Sequence, residues 1–174
     1  MWEKAVITDA GMNLIAGLMA GETISVSSVR SGAGYTQEDL QAQEEVLQIK
    51  QEGTVQEIKQ QDGYIQISIL FTNLGLKDSY GMRQIGIYVQ HERKEILFAL
   101  AQASVPKEIP AEDVMPLYSL AQDFRIQFRN DLHMAMPAPD PNGLCTMEKF
   151  FALAERVAKL EKVIEDCIAI ADRK

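Results

Sequence analysis

The chain has 174 residues, 47% of them hydrophobic, and a formal net charge of −8. That length allows one domain of roughly 100–150 residues with an appendage, and the hydrophobic content excludes wholesale disorder. The acidic balance argues against free nucleic acid as a partner, since phosphate binding needs a basic stripe, and no stretch approaches the roughly 20 apolar residues of a membrane span.

The first residues, Met1-Trp2-Glu3-Lys4-Ala5-Val6, lack the basic start and long apolar run of a signal peptide. The product is therefore expected to be made and kept in a reducing compartment. Thr8 or Asp9 can cap a first helix, in which Ala10, Leu14, Ile15 and Leu18 recur on one face before Gly21. Residues 23–30 alternate Ile24, Val26 and Ser28 with polar neighbours, the pattern of a half-buried strand. Ser31-Gly32-Ala33-Gly34 breaks it. Tyr35 to Leu47 is polar and acidic and reads as a loop with a short helix from Glu38. Its part from Tyr35 to Glu45 has few large apolar residues, so it is expected to be the most mobile part of the head.

Strand signals come next. Residues 54–60 and 64–71 flank Gln61-Asp62-Gly63, a turn with glycine where a positive φ is needed, and predict a hairpin. Residues 83–89 and 95–100 flank the charged turn His91-Glu92-Arg93-Lys94 and predict a second. Gly86 sits mid-strand, which marks a bulge or a close backbone approach. Arg83 is either paired with Glu95 or a solvated edge charge. The three prolines between Val105 and Pro116 predict an irregular connection. Residues 120–128 alternate Phe124, Ile126 and Phe128 with polar residues, a last strand. One helix followed by antiparallel strands predicts an α+β head over residues 1–130.

Composition then shifts. Residues 134–143 hold Pro137, Pro139 and Pro141 and end in Asn142-Gly143, so residues 131–146 read as a linker. Thr146 can serve as the N-cap of a helix beginning at Met147. Phe150, Leu153, Val157, Leu160, Ile164, Cys167 and Ala171 alternate at spacings of three and four, which predicts a C-terminal coiled-coil helix over 147–174 and an oligomerisation seam. The a/d residues alone favour two strands. Val163 and Ile170 at g and Ile168 at e widen the apolar stripe and favour three. Cys145 and Cys167 form no CxxC pair; Cys167 falls on the seam, as a small apolar residue or as an interchain disulfide.

Four segments together resemble a known family. They are residues 2–11 (WEKAVITDAG), 31–34 (SGAG), 80–88 (YGMRQIGIY) and 95–99 (EILFA). In order and spacing they resemble the N-terminal domain of phage tail-collar fibre proteins, the part that fixes a fibre to the tail baseplate. The resemblance covers about residues 2–130. The family commonly has Glu where this chain has Gln84, and its members usually continue into a long fibre and receptor-binding tip. The resemblance implies a virion structural protein of a phage or prophage tail, located in the virion tail and made in the bacterial host cytoplasm. It implies tail baseplate or fibre proteins as partners and tips the expected self-association to a homotrimer. The alternative is a short receptor-binding module recognising a cell-surface glycan.

No catalytic constellation stands beside this reading. HExxH, GxSxG, Walker and full dinucleotide motifs are absent from the sequence, and Ser31-Gly32-Ala33-Gly34 lacks the third glycine and the helix of a phosphate loop. His91 lies in a charged turn, and His133 has no second ligand near it in sequence. Glu112 and Asp113 are adjacent, with nothing to oppose them as glycosidase carboxylates. The chain is expected not to be an enzyme and to need no cofactor. Trp2 is either an anchor in a subunit interface or a cover for the edge of its own core.

Overall fold

A computed structural model describes residues 2, 4–18, 23–61, 64–127 and 133–136. The chain divides into two units, Met1–Ala138 and Pro139–Lys174, and all the described elements belong to the first. In order they are β1 (Lys4–Ile7), α1 (Asp9–Gly17), β2 (Thr23–Gly32), β3 (Ile49–Gln61), β4 (Tyr64–Thr72), β5 (Tyr80–His91), β6 (Lys94–Ile109), β7 (Ser119–Gln127) and β8 (His133–Ala135).

The strands form one sheet in the order β1-β6-β5-β2-β3-β4-β7, every neighbour antiparallel, with β8 parallel to the start of β2. The sheet curls until β7 comes back near β1, giving a nearly closed barrel. The bend is made by β3. Its first residues pair with β2 and its remainder with β4, so one strand serves two halves of the sheet. Gly53 stands at the change of partner. A Cβ there would lie 2.6 Å from Cε1 of Phe71 and 2.8 Å from Cγ2 of Ile69, so the corner passes directly over the core only without a side chain.

Alternation builds the interior. Ile65, Ile67, Ile69 and Phe71 of β4 point inward and are fully buried, with Ile85, Ile87 and Val89 of β5 and Phe98 of β6. Each such side chain contributes about 1.5–3 kcal/mol relative to exposure. Thr8 caps α1, its Oγ1 accepting from Gly11 N at 3.0 Å and donating to the Leu97 carbonyl, which ties helix to β6. A smaller apolar layer, Leu40, Val46, Tyr88, Leu97 and Leu100, lies under the 33–48 connection. This is why β5 is buried without alternation from Gln84 to Val89: both its faces are covered.

The expected α+β head is corrected. The architecture is mostly β, with one helix of nine residues among the described residues. Three things hid the extra strand. β1 is four residues long and runs directly into the helix cap. β3 starts at Ile49, ahead of the point where its alternation becomes regular. β6 runs on to Ile109 through Pro106. That proline is tolerated because the ladder is interrupted there: Gln84 pairs with Gln102 but Met82 with Lys107, so residues 103–106 bulge outside the pairing and no ladder hydrogen is required of Pro106. The strand expected at 23–30 is present, but a bulge between Val26 and Ser28 shifts its inward face to Val29. The expected short helix from Glu38 is absent; the segment is turns and bends. β8 falls within the stretch read as a linker, and Met134 packs in the core. The expected C-terminal coiled-coil helix, with its seam residues Phe150, Leu153, Val157, Leu160, Ile164, Cys167 and Ala171, lies outside the described residues, as do both cysteines.

Candidate functional site

The outer face of β5 and β6 carries a clamp of neutral amides. Gln84 is fully buried. Its Oε1 accepts from Leu47 N at 2.8 Å and Gln43 Nε2 at 3.0 Å, and its Nε2 donates to Gln102 Oε1 at 2.8 Å. Gln102 in turn bonds Thr36 through both atoms of its amide, at 3.1 and 2.8 Å. The strands thus hold both ends of the 33–48 connection. Its middle is seated by Leu40 and Val46, both buried, and by Asp9 N donating to Gln41 O at 2.8 Å. The segment expected to be mobile, Tyr35–Glu45, is mostly exposed but is anchored at Thr36, Leu40, Gln41 and Gln43, and the signal in sequence for these anchors was two glutamines inside apolar strands.

The glycines around this clamp are contact positions. A Cβ on Gly86 would fall 2.4 Å from Cγ2 of Val46 and 2.7 Å from Cδ1 of Leu97. The close approach expected at Gly86 is therefore present, and the β5–β6 register also shifts between Ile87 and Tyr88. Gly32 and Gly34 do the same for the returning chain, where Ala33 N and Gly34 N each donate at 3.1 Å to Gln48 O and Leu47 O.

Beside the clamp is a charged cluster. Arg30 of β2 lies 4.3 Å from the centroid of the Tyr88 ring and donates from Nη2 to Glu95 Oε2 at 2.5 Å. Ser27 and Ser28 both donate to Glu95 Oε1 at 2.8 Å; the bulge in β2 turns both hydroxyls to one side. Burial pushes the Glu95 carboxyl up, but the two serines and Arg30 outweigh it and hold the group below its ordinary value. Burial raises Tyr88 above its ordinary value, against the Val46 N–H and Arg30, which pull it down. Glu95 is thus the partner of Arg30, and Arg83 goes elsewhere: it donates to the carbonyl of Ser104 within the β6 bulge and sits 5.6 Å from the Tyr35 ring.

At one end of the barrel a buried amide joins two further connections. Asn73 Nδ2 faces the carbonyls of Pro110, Ala111 and Met115 at 3.1, 3.2 and 2.7 Å, and Glu112 accepts from Gly75 N at 2.8 Å. Glu112 is therefore engaged in holding a loop. A cleft of about 490 Å³ opens between β1 and β7, lined by Val6, Met12, Gln41, Phe124 and Arg125 among others. Trp2 closes beside it, Nε1 donating to Gln122 Oε1 at 2.7 Å and the ring packed on the core; of its two expected roles, it fills the one covering its own core. His91 is exposed. Among the described residues no group of three or more His, Cys, Asp or Glu side chains gathers where it could hold a metal.

Among the described residues the buried polar side chains are neutral: the amides of Asn73, Gln84 and Gln102 and the hydroxyls of Thr8 and Ser31. Comparison of the chain with protein-family models, with curated proteins and with solved structures finds no match.

Proposed function

We propose that the chain is a structural protein of a phage or prophage tail, whose barrel attaches a fibre to the baseplate. The observation that carries the reading is where the four resembling segments fall. Separated by up to about 90 residues in sequence, residues 2–11, 31–34, 80–88 and 95–99 lie on β1 with α1, the end of β2, β5 and β6, which are consecutive in the sheet. Two of the buried amides, Gln84 and Gln102, and the contact glycine Gly86 lie on these strands. A homotrimer formed through residues 147–174 is part of the proposal.

Tail particles purified from the bacterium that carries the gene test it. The chain should co-purify with baseplate proteins, and particles made without the gene should lack the fibre. A chain absent from particles that instead binds one saccharide on a glycan array would support the receptor-binding alternative. Light scattering of the full chain tests the trimer, which requires three times its 19.4 kDa mass.

A further inference from the structure

We propose that the barrel end from which the 33–48, 73–79 and 110–118 connections leave is a docking surface for another protein, one presenting apolar side chains within a rim of lysine and arginine. These three connections share an end because Gly32 pairs with Gln84 and Ile49, Tyr80 with Ile109 and Thr72 with Ser119.

Large exposed apolar side chains collect there. Leu74, Val114, Met115 and Leu117 are 66%, 69%, 51% and 73% exposed. Asn73 N donates to Tyr118 O at 3.1 Å, which holds together the residues next to Leu74 and Leu117. Apolar exposure gathered in one area marks interaction sites, whereas scattered exposure does not.

The backbone that carries these side chains is rigidly built. The Asn73 amide ties the two end connections together, and Leu76 O accepts from Glu112 N at 2.9 Å. Leu117 has a φ of 60°, the left-handed region a leucine rarely adopts. A strained residue held outward by well-bonded neighbours is the mark of a site rather than of loose chain.

Charge selects the occupant. The 73–79 and 110–118 connections, which carry these apolar side chains, hold Asp78, Glu112 and Asp113 against Lys77 alone, three carboxylates to one lysine. A second copy docking end to end would bring the same charge against itself. A basic rim is attracted and steered by it. The proposal rests on this surface and does not depend on the tail reading.

Photo-crosslinking in the source bacterium tests it with the full chain. p-Benzoylphenylalanine replaces Leu117 in one variant, Val114 in a second, and Met12 on α1 in a control. The two end positions should yield one adduct that the control does not, with a protein other than this chain. That protein, purified, should bind the full chain, lose about tenfold or more in affinity to the Leu74→Ser/Leu117→Ser variant, and bind more weakly as salt rises. Both substituted side chains are exposed, so the variant should melt with the wild type. An adduct between two copies, no adduct, equal adducts from Met12, or an affinity indifferent to salt or to the double substitution each overturns the proposal. An adduct with a basic protein unrelated to tails would keep it while counting against the tail reading.

Discussion

Arg30 and Glu95 sit on strands separated by β5, and the Arg30 guanidinium crosses the Tyr88 ring of that strand to reach the Glu95 carboxylate at 2.5 Å. The contact links three strands on the face that also holds the 33–48 connection, because Tyr88 Oη accepts from Val46 N at 3.0 Å. Both charged side chains are partly exposed, so their coupling is expected to be modest, about 0.2–1 kcal/mol.

Acid should weaken this contact. The Glu95 carboxyl is held below its ordinary value of 4.5 in the fold. A carboxyl depressed in the folded state contributes stability above its ordinary value and loses it as pH falls through the folded one. Urea unfolding across acid pH should show that loss beginning as pH drops below 4.5, and Glu95→Gln should flatten it. An unchanged acid limb in the variant would show that Glu95 is not the group responsible.

Gln84→Ala should loosen the clamp. The substitution leaves the Leu47 N–H and the Gln43 and Gln102 amides without their buried partner, at a cost of about 2–3 kcal/mol. Hydrogen exchange should show protected amides at Thr36 and Leu47 in the wild type and a selective loss of protection across 35–47 in the variant. Uniform loss over the whole barrel would instead mean the connection and the barrel open together.

Gly86→Ala should destabilise by about 1–3 kcal/mol, the range for forcing a methyl into a filled space. The nearest obstruction is Cγ2 of Val46 at 2.4 Å. Val46→Ala in the same chain should recover part of the loss, and a double-mutant cycle measures that coupling. Strict additivity would mean the obstruction lies with Leu97.

Tyr80 and Tyr88 should ionise late. Burial raises both above their ordinary value of 10.0, against hydrogen bonds from Ser31 and Gln51 on Tyr80 and against Val46 and Arg30 at Tyr88. A group whose folded value is raised stabilises the fold below its ordinary value and loses that stability as pH rises through the folded one. Ultraviolet titration should show late ionisation coinciding with alkaline unfolding, and Tyr80→Phe and Tyr88→Phe should each remove one late group.

Sequence periodicity was a good guide wherever one face of a strand meets the core and the other meets water. β4 and β7 alternate as read, β3 pairs with β4 and β5 with β6 as expected, and Thr8 caps the helix. It failed where that two-sided environment ends. β5 is covered on both faces, so nothing in its pattern says which residues face the barrel. Pro106 looks like a strand breaker until the bulge around it, residues 103–106, is seen. The amide clamp depends on partners far apart in sequence, Gln84 with Gln102 18 residues on and Thr36 with Gln102 66 apart, and no local pattern encodes such a meeting. Asn73 gave no signal at all, because an asparagine after a strand is ordinary turn chemistry.

Immunogold electron microscopy of intact tail particles, with an antibody raised against residues 1–138, tests the attachment role most directly. Gold should decorate the baseplate end of the tail, where the fibre joins it. Gold confined to free fibre tips, or particles that remain unlabelled although the protein is present in the lysate, would contradict that role.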